Sequence, residues 1–128
     1  MSDALSSSAT PTSQLRPHFS RTRDAAGLVY VSGQLPFDAS QTIVAGDVAD
    51  QTRQCLRNIE ALLVAEGLGL ADVVKTTVWL SRTQDFQAFD ATYGAMFEGM
   101  TLPSRSTVRA DLMVPGALVE IEAVAARA

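Results

Sequence analysis

The chain has 128 residues, 47% of them hydrophobic and 19% charged, with ten Lys and Arg against fourteen Asp and Glu for a formal net charge of −4. A chain of that size forms one domain that buries roughly two-thirds of its unfolded surface, and an acidic balance without a basic run argues against a surface that tracks nucleic-acid phosphates. The lone Cys55 rules out an intramolecular disulfide, and the lone His18 cannot build a zinc site without acidic partners that nothing in the spacing supplies.

Residues 1–16, rich in Ser, Thr and Ala, have neither the basic nor the apolar region of a signal peptide, and are expected to form a flexible tail before a single domain over 17–128. No apolar run approaches the ~18 residues of a membrane span, so a cytoplasmic protein is expected. His18 reads as a solvated loop residue. Leu28 to Gln34 is a short strand, preceded by a shorter one near Phe19 to Thr22 with Asp24-Ala25-Ala26-Gly27 turning between them, and Pro36 closes the second. Val48, Thr52, Cys55, Ile59, Leu62 and Leu63 recur at helical spacing from an Asp47 start, with Gly67 as the stop. Cys55 is therefore read as a helix residue, partly buried, rather than a nucleophile.

Val73 to Leu80, dense in β-branched residues, reads as a central strand. Thr83 is placed to cap a second helix in which Phe86, Phe89, Tyr93, Met96 and Phe97 form one aromatic stripe for the core, ending at Gly99. The order is strand-strand-helix-strand-helix-strand-strand. It predicts an α+β fold: a mixed sheet of five to six strands with two helices covering one face. The other face is then left for self-association.

The last two strands carry charges inside an alternating pattern. In Pro103-Ser104-Arg105-Ser106-Thr107-Val108, Arg105, Thr107 and Arg109 share one face; in Leu118-Val119-Glu120-Ile121-Glu122, Glu120 and Glu122 share another. With Val114-Pro115-Gly116 as a turn, the two are expected to pair and bring an Arg-bearing face beside a Glu-bearing one. Two readings follow from pattern alone: an ordinary cross-strand ion pair on a wet sheet face, or a site that grips a carboxylate and moves a proton.

Pro-Ser-Arg-Ser-x-Val followed by an apolar-Glu-Ile resembles the signature of the Rid/YjgF family of reactive enamine/imine deaminases. Val29-Tyr30-Val31-Ser32-Gly33-Gln34-Leu35-Pro36, Gly46-Asp47, Gln51-Thr52-Arg53-Gln54, Asp72 to Val78, Asp85-Phe86 and Tyr93 resemble further blocks of that family in the same order, from about Pro17 to Arg127. The resemblance implies a chorismate-mutase-like or YjgF-like fold and a homotrimer with a barrel-like centre, its three sites in clefts between subunits. It implies hydrolysis of 2-aminoacrylate-type enamines, through the 2-imino acid, to the 2-keto acid and ammonia. That chemistry needs no cofactor and no metal, and its partner is a small imino or enamine acid, neither nucleic acid nor membrane.

By the same resemblance Arg105 matches the carboxylate-binding Arg, whose planar fork makes two charge-assisted hydrogen bonds where Lys offers only charge. Glu120 matches the acid that orients water or shuttles a proton. Ser32 and Gly33 match a turn whose backbone lines the site, and backbone N–H groups near Gly33 and Thr107 are further donors. Three positions depart from the family pattern: Phe19 where Tyr is common, Asp90 where Asn is frequent and Thr107 where Cys is frequent. The departures bear on the identity of the substrate more than on the reaction class, so a specialised relative acting on the aminoacrylate of pyrimidine breakdown or on 2-aminomuconate stays open. So does a non-catalytic trimeric ligand-binding or chaperone-like module. A ribonuclease, described for some relatives, draws little support from the charge.

Overall fold

The computed structural model describes residues 17–128, so the tail expected over residues 1–16 lies outside the described residues. Five strands and two helices run in the order β1 (Thr22–Ala25), β2 (Leu28–Gln34), α1 (Val48–Ala65), β3 (Val73–Leu80), α2 (Phe86–Met96), β4 (Ser104–Arg109), β5 (Val119–Ala126). The sheet order is β1-β2-β5-β3-β4. β4 runs parallel to β3, while β5 is antiparallel to both of its neighbours, β2 and β3. The predicted α+β class, element order and five-stranded mixed sheet are all present.

The chain therefore makes two crossovers between like-directed strands, β2 to β3 through α1 and β3 to β4 through α2. Because such crossovers are right-handed and both step the same way across the sheet, the two helices land on one face and pack on each other. Beneath them Val29, Val31, Val78, Val119, Ile121 and Ala123 alternate inward to meet Leu56, Ile59, Leu63, Phe89 and Phe97. The alternate residues, Tyr30, Lys75, Thr77, Trp79, Glu120, Glu122 and Val124, stand on the open face.

α1 begins where Asp47 accepts from the Asp50 amide at 3.1 Å and Asp50 accepts from the Asp47 amide at 3.1 Å, a reciprocal capping box. It stops before Gly67, whose φ of 79° is the left-handed conformation expected after a helix end. Cys55 is fully buried rather than partly so, and its thiol points to the Val119 carbonyl at 3.6 Å.

Three expectations are corrected. β1 occupies Thr22–Ala25, not Phe19 to Thr22, because Ala26 (φ 54°) and Gly27 (φ 81°) make the two-residue turn and Ala25 pairs directly with Leu28. Thr83 makes no capping hydrogen bond; it opens a short 3₁₀ turn, Thr83–Asp85, held by Arg82, which donates to Asp85 through Nε and Nη2 at 2.9 Å each. Most consequentially, β4 and β5 are not neighbours. A turn does reverse the chain, with the Ala117 amide on the Val114 carbonyl at 3.2 Å. But β3 lies between the two strands, so the cross-strand ion pair expected between their Arg-bearing and Glu-bearing faces does not form.

Candidate active site

Strand alternation sends Arg105 and Glu120 in opposite directions. Arg105 pairs with Thr76, and both point to the helix-covered face, where Thr76 is buried; Glu120 pairs with Trp79 on the open face. The seven residues singled out in the sequence fall accordingly into two sets. Asp90, Arg105 and Thr107 gather at the β4 edge on the helix side. Phe19, Ser32, Gly33 and Glu120 gather where the end of β2 meets the start of β5.

In the first set the Arg105 guanidinium is held on three sides. Its Nη1 donates to Asp90 Oδ1 at 2.8 Å. Its carbon lies 4.7 Å from the Tyr93 ring centroid, 5.1 Å from Phe89 and 5.7 Å from Phe86, within the range of cation–π attraction. The aromatic stripe of α2, read in the sequence as core, thus also forms a platform for the arginine. The i, i+3, i+7 spacing placed those rings on one face, but only the parallel β3–β4 pairing brings a cation beneath them. Tyr93 is anchored in turn by a 2.7 Å hydrogen bond between its hydroxyl and Thr76 Oγ1. Burial pushes the Tyr93 hydroxyl above its usual range, with the Thr76 hydrogen bond and the Arg105 charge opposing the shift, so it stays protonated at neutral pH.

In the second set a bulge does the positioning. Val31 faces Ala123 and Gln34 faces Ile121, so β2 holds one residue more than β5 between those pairs, at Ser32-Gly33. The displaced backbone meets Glu120: a Cβ on Gly33 would sit 2.5 Å from Glu120 Oε2, so no larger residue fits without moving that carboxylate. Ser32 donates its hydroxyl to the Ser20 carbonyl at 2.6 Å and so ties down the segment that carries the exposed Phe19. The buried Gln51 of α1 fixes the other side, donating to the Gly116 carbonyl at 3.1 Å and accepting from the Leu118 amide at 2.7 Å, which locks the entry to β5 two residues before Glu120. Burial, and then the like charge of Glu122, raise the Glu120 carboxyl above its ordinary range.

A cleft of about 560 Å³ adjoins this set, lined by Phe19 and Gly33 together with Arg21, Asp38, Asn58 and Leu62 among others; neither Arg105 nor Glu120 lines it. Cys55, beneath β5, has its thiol held well above the usual range by burial, which leaves it inert as a nucleophile. Among the described residues no three His, Cys, Asp or Glu side chains come together as a metal site, and no helix is long and apolar enough to cross a membrane.

A family model described as endoribonuclease L-PSP matches residues 12–127. The chain is 42% identical over 106 residues to a 2-iminobutanoate/2-iminopropanoate deaminase of Salmonella typhimurium, covering 81% of this chain and 83% of that one. Among solved structures it resembles the YjgF gene product of E. coli at 38% identity and a TM-score of 0.80, covering 86% of this chain and 88% of that one. It also resembles E. coli TdcF with bound serine at 32% identity and a TM-score of 0.82, covering 89% and 91% respectively.

Proposed function

The chain belongs to the endoribonuclease L-PSP family, the Rid/YjgF proteins, and from that membership we propose that it is an enamine/imine deaminase hydrolysing 2-aminoacrylate-type 2-imino acids to 2-keto acids and ammonia. The observation that carries the reading is the Arg105 guanidinium seated against the α2 rings, with its Nε and Nη2 edge free of hydrogen bonds among the described residues, a fork of the shape that takes a carboxylate. The names of the relatives support it, and so does the serine held by a structural relative, since serine presents an α-carboxylate of the kind Arg105 would take.

In this scheme the substrate carboxylate docks on the Nε and Nη2 edge of Arg105, which makes no hydrogen bond among the described residues. Each such charge-assisted bond is worth about 1.5–3 kcal/mol. Backbone N–H groups near Gly33 and Thr107 add donors. For an enamine, a proton added at C3 from solvent, with one lost from nitrogen, gives the imine. Water held by Glu120 then adds to the electrophilic C2: the C–O bond forms as Glu120 takes a proton from the water, and the C=N π pair moves onto nitrogen and takes that proton from Glu120. In the collapse of the carbinolamine the hydroxyl proton passes through Glu120 to nitrogen, the O–H pair becomes the C=O bond, the C–N bond breaks, and ammonia leaves with the 2-keto acid. A carboxyl whose proton affinity is raised serves both directions of transfer, since it lies closer to working pH.

Both groups must reach one three- to four-carbon molecule, and residues on opposite faces of one sheet cannot. A neighbouring copy must bring its Glu120 side to the Arg105 edge. Because the two sets do not share one contiguous patch, a two-fold contact of like with like does not complete the site; a head-to-tail ring does, and a homotrimer with sites at its subunit interfaces is the ring we propose. A nuclease has little to rest on here, given the formal net charge of −4.

The test is pyruvate release from 2-aminoacrylate generated in situ by a dehydratase, with wild type and Arg105→Ala compared at equal protein. Faster release that disappears in the variant is expected. No acceleration by wild type with any imine would sink the reading in favour of a non-catalytic ligand-binding module.

A further inference from the structure

Arg105 is already engaged by an acid of its own chain. Asp90 reaches it from α2 at 2.8 Å, with the Arg105 side chain 21% exposed and that of Asp90 51% exposed. The aromatic rings of Phe86, Phe89 and Tyr93 occupy the sheltered side and offer no strong acceptor. An incoming carboxylate is therefore left the edge away from those rings, at a rim where the second oxygen of Asp90 makes no hydrogen bond among the described residues.

Resting on the deaminase reading above, we propose that Asp90 is a specificity-determining residue that sorts substrates by side-chain charge. The site takes 2-imino acids with neutral or cationic side chains and turns away those bearing a second carboxylate. The Arg105–Asp90 pair is neutral in sum, so a single carboxylate is held by the direction of the N–H donors more than by net charge. Within the chain that carries Arg105, a second carboxylate on the ligand meets Asp90 with no further cation at the rim, whereas a cationic tail finds a partner there. At a half-exposed rim such a charge alters affinity by about ten-fold. Arg109, on the same face of β4, stands four residues along, roughly 13 Å away by strand rise, beyond the reach of an exposed charge at physiological salt.

The experiment is direct binding by calorimetry of pyruvate, 2-oxoglutarate and 4-aminobutanoate to the full-length protein at neutral pH, for wild type, Asp90→Asn and Asp90→Ala. Wild type is expected to bind 2-oxoglutarate about ten-fold more weakly than pyruvate. Both variants, which remove the charge, are expected to close most of that gap and to weaken 4-aminobutanoate. Arg105→Ala is expected to lose all three ligands. A gap of unchanged size in Asp90→Asn overturns the proposal, as does failure of wild type to bind any of the three. Because binding needs no turnover, a gap that closes on removing the Asp90 charge in a protein unable to hydrolyse imines would uphold the role of Asp90 while removing the deaminase reading.

Discussion

Glu120 stands between Trp79 of β3 and the bulged Ser32-Gly33 of β2, with Glu122 two residues along on the same face. Its folded-state proton affinity is raised, first by burial and then by that like charge. The folded chain therefore holds this proton more tightly than the unfolded chain does. Stability falls as pH climbs from the ordinary Glu value of 4.5 through the raised one, and the loss persists at neutral pH. Glu120→Gln, which cannot ionise, is expected to melt above wild type at neutral pH and level with it in acid below the ordinary range, while losing about 10²-fold or more in imine hydrolysis. Thermal unfolding at the two pH values checks this; an equal difference at both would show that the charge is not what destabilises. Arg105 and Glu120 were legible in the sequence as residue types in strand context. The platform under Arg105 was not, because it depends on which strand β4 pairs with.

At the scale of elements, α1 was the most legible, because its signals are local: Asp47 and Asp50 cap each other, an apolar stripe follows, and Gly67 ends it. The same cap supports the site, since Gln51 in the first turns holds the entry to β5. Asp47→Ala is expected to lower stability by about 1 kcal/mol, read as a lower urea midpoint at unchanged slope, with Asp47→Asn close to wild type. A midpoint that does not move would mean that tertiary packing alone holds that helix start. β1 was set three residues too early because an apolar-aromatic pattern marks a strand only loosely, whereas a two-residue turn at Ala26-Gly27 fixes its register. The placement of β4 beside β5 failed for a related reason. A turn records that the chain reverses, not that the strands it joins become neighbours, and the crossover through α2 had already given β4 to β3.

For the whole molecule, the two-faced distribution of the site makes a sharp expectation. If each site takes Arg105 from one subunit and Glu120 from the next, then Arg105→Ala and Glu120→Ala proteins, each inactive, should recover about a quarter of wild-type activity when unfolded together and reassembled, from random mixing in a head-to-tail ring. Activity that stays at the level of the separate variants would mean both groups serve from the same subunit. The α+β class and the two-layer arrangement were readable from element order. The opposition of the faces was not, because it arises from pairings between strands dozens of residues apart.

The strand order has a bearing on how the molecule is made. β5 is the middle strand of the sheet and the last of the five along the chain. Until it arrives, the facing edges of β2 and β3 have no strand between them, and Val29, Val31 and Val78 lack Ile121 and Ala123 to close the core. On the ribosome, then, more than a hundred residues must wait with their central slot open, and the fold closes only once Ala126 has cleared the exit tunnel. A stalled or truncated chain would present two unpaired strand edges at once, which makes incomplete copies of this protein natural clients for chaperones and proteases.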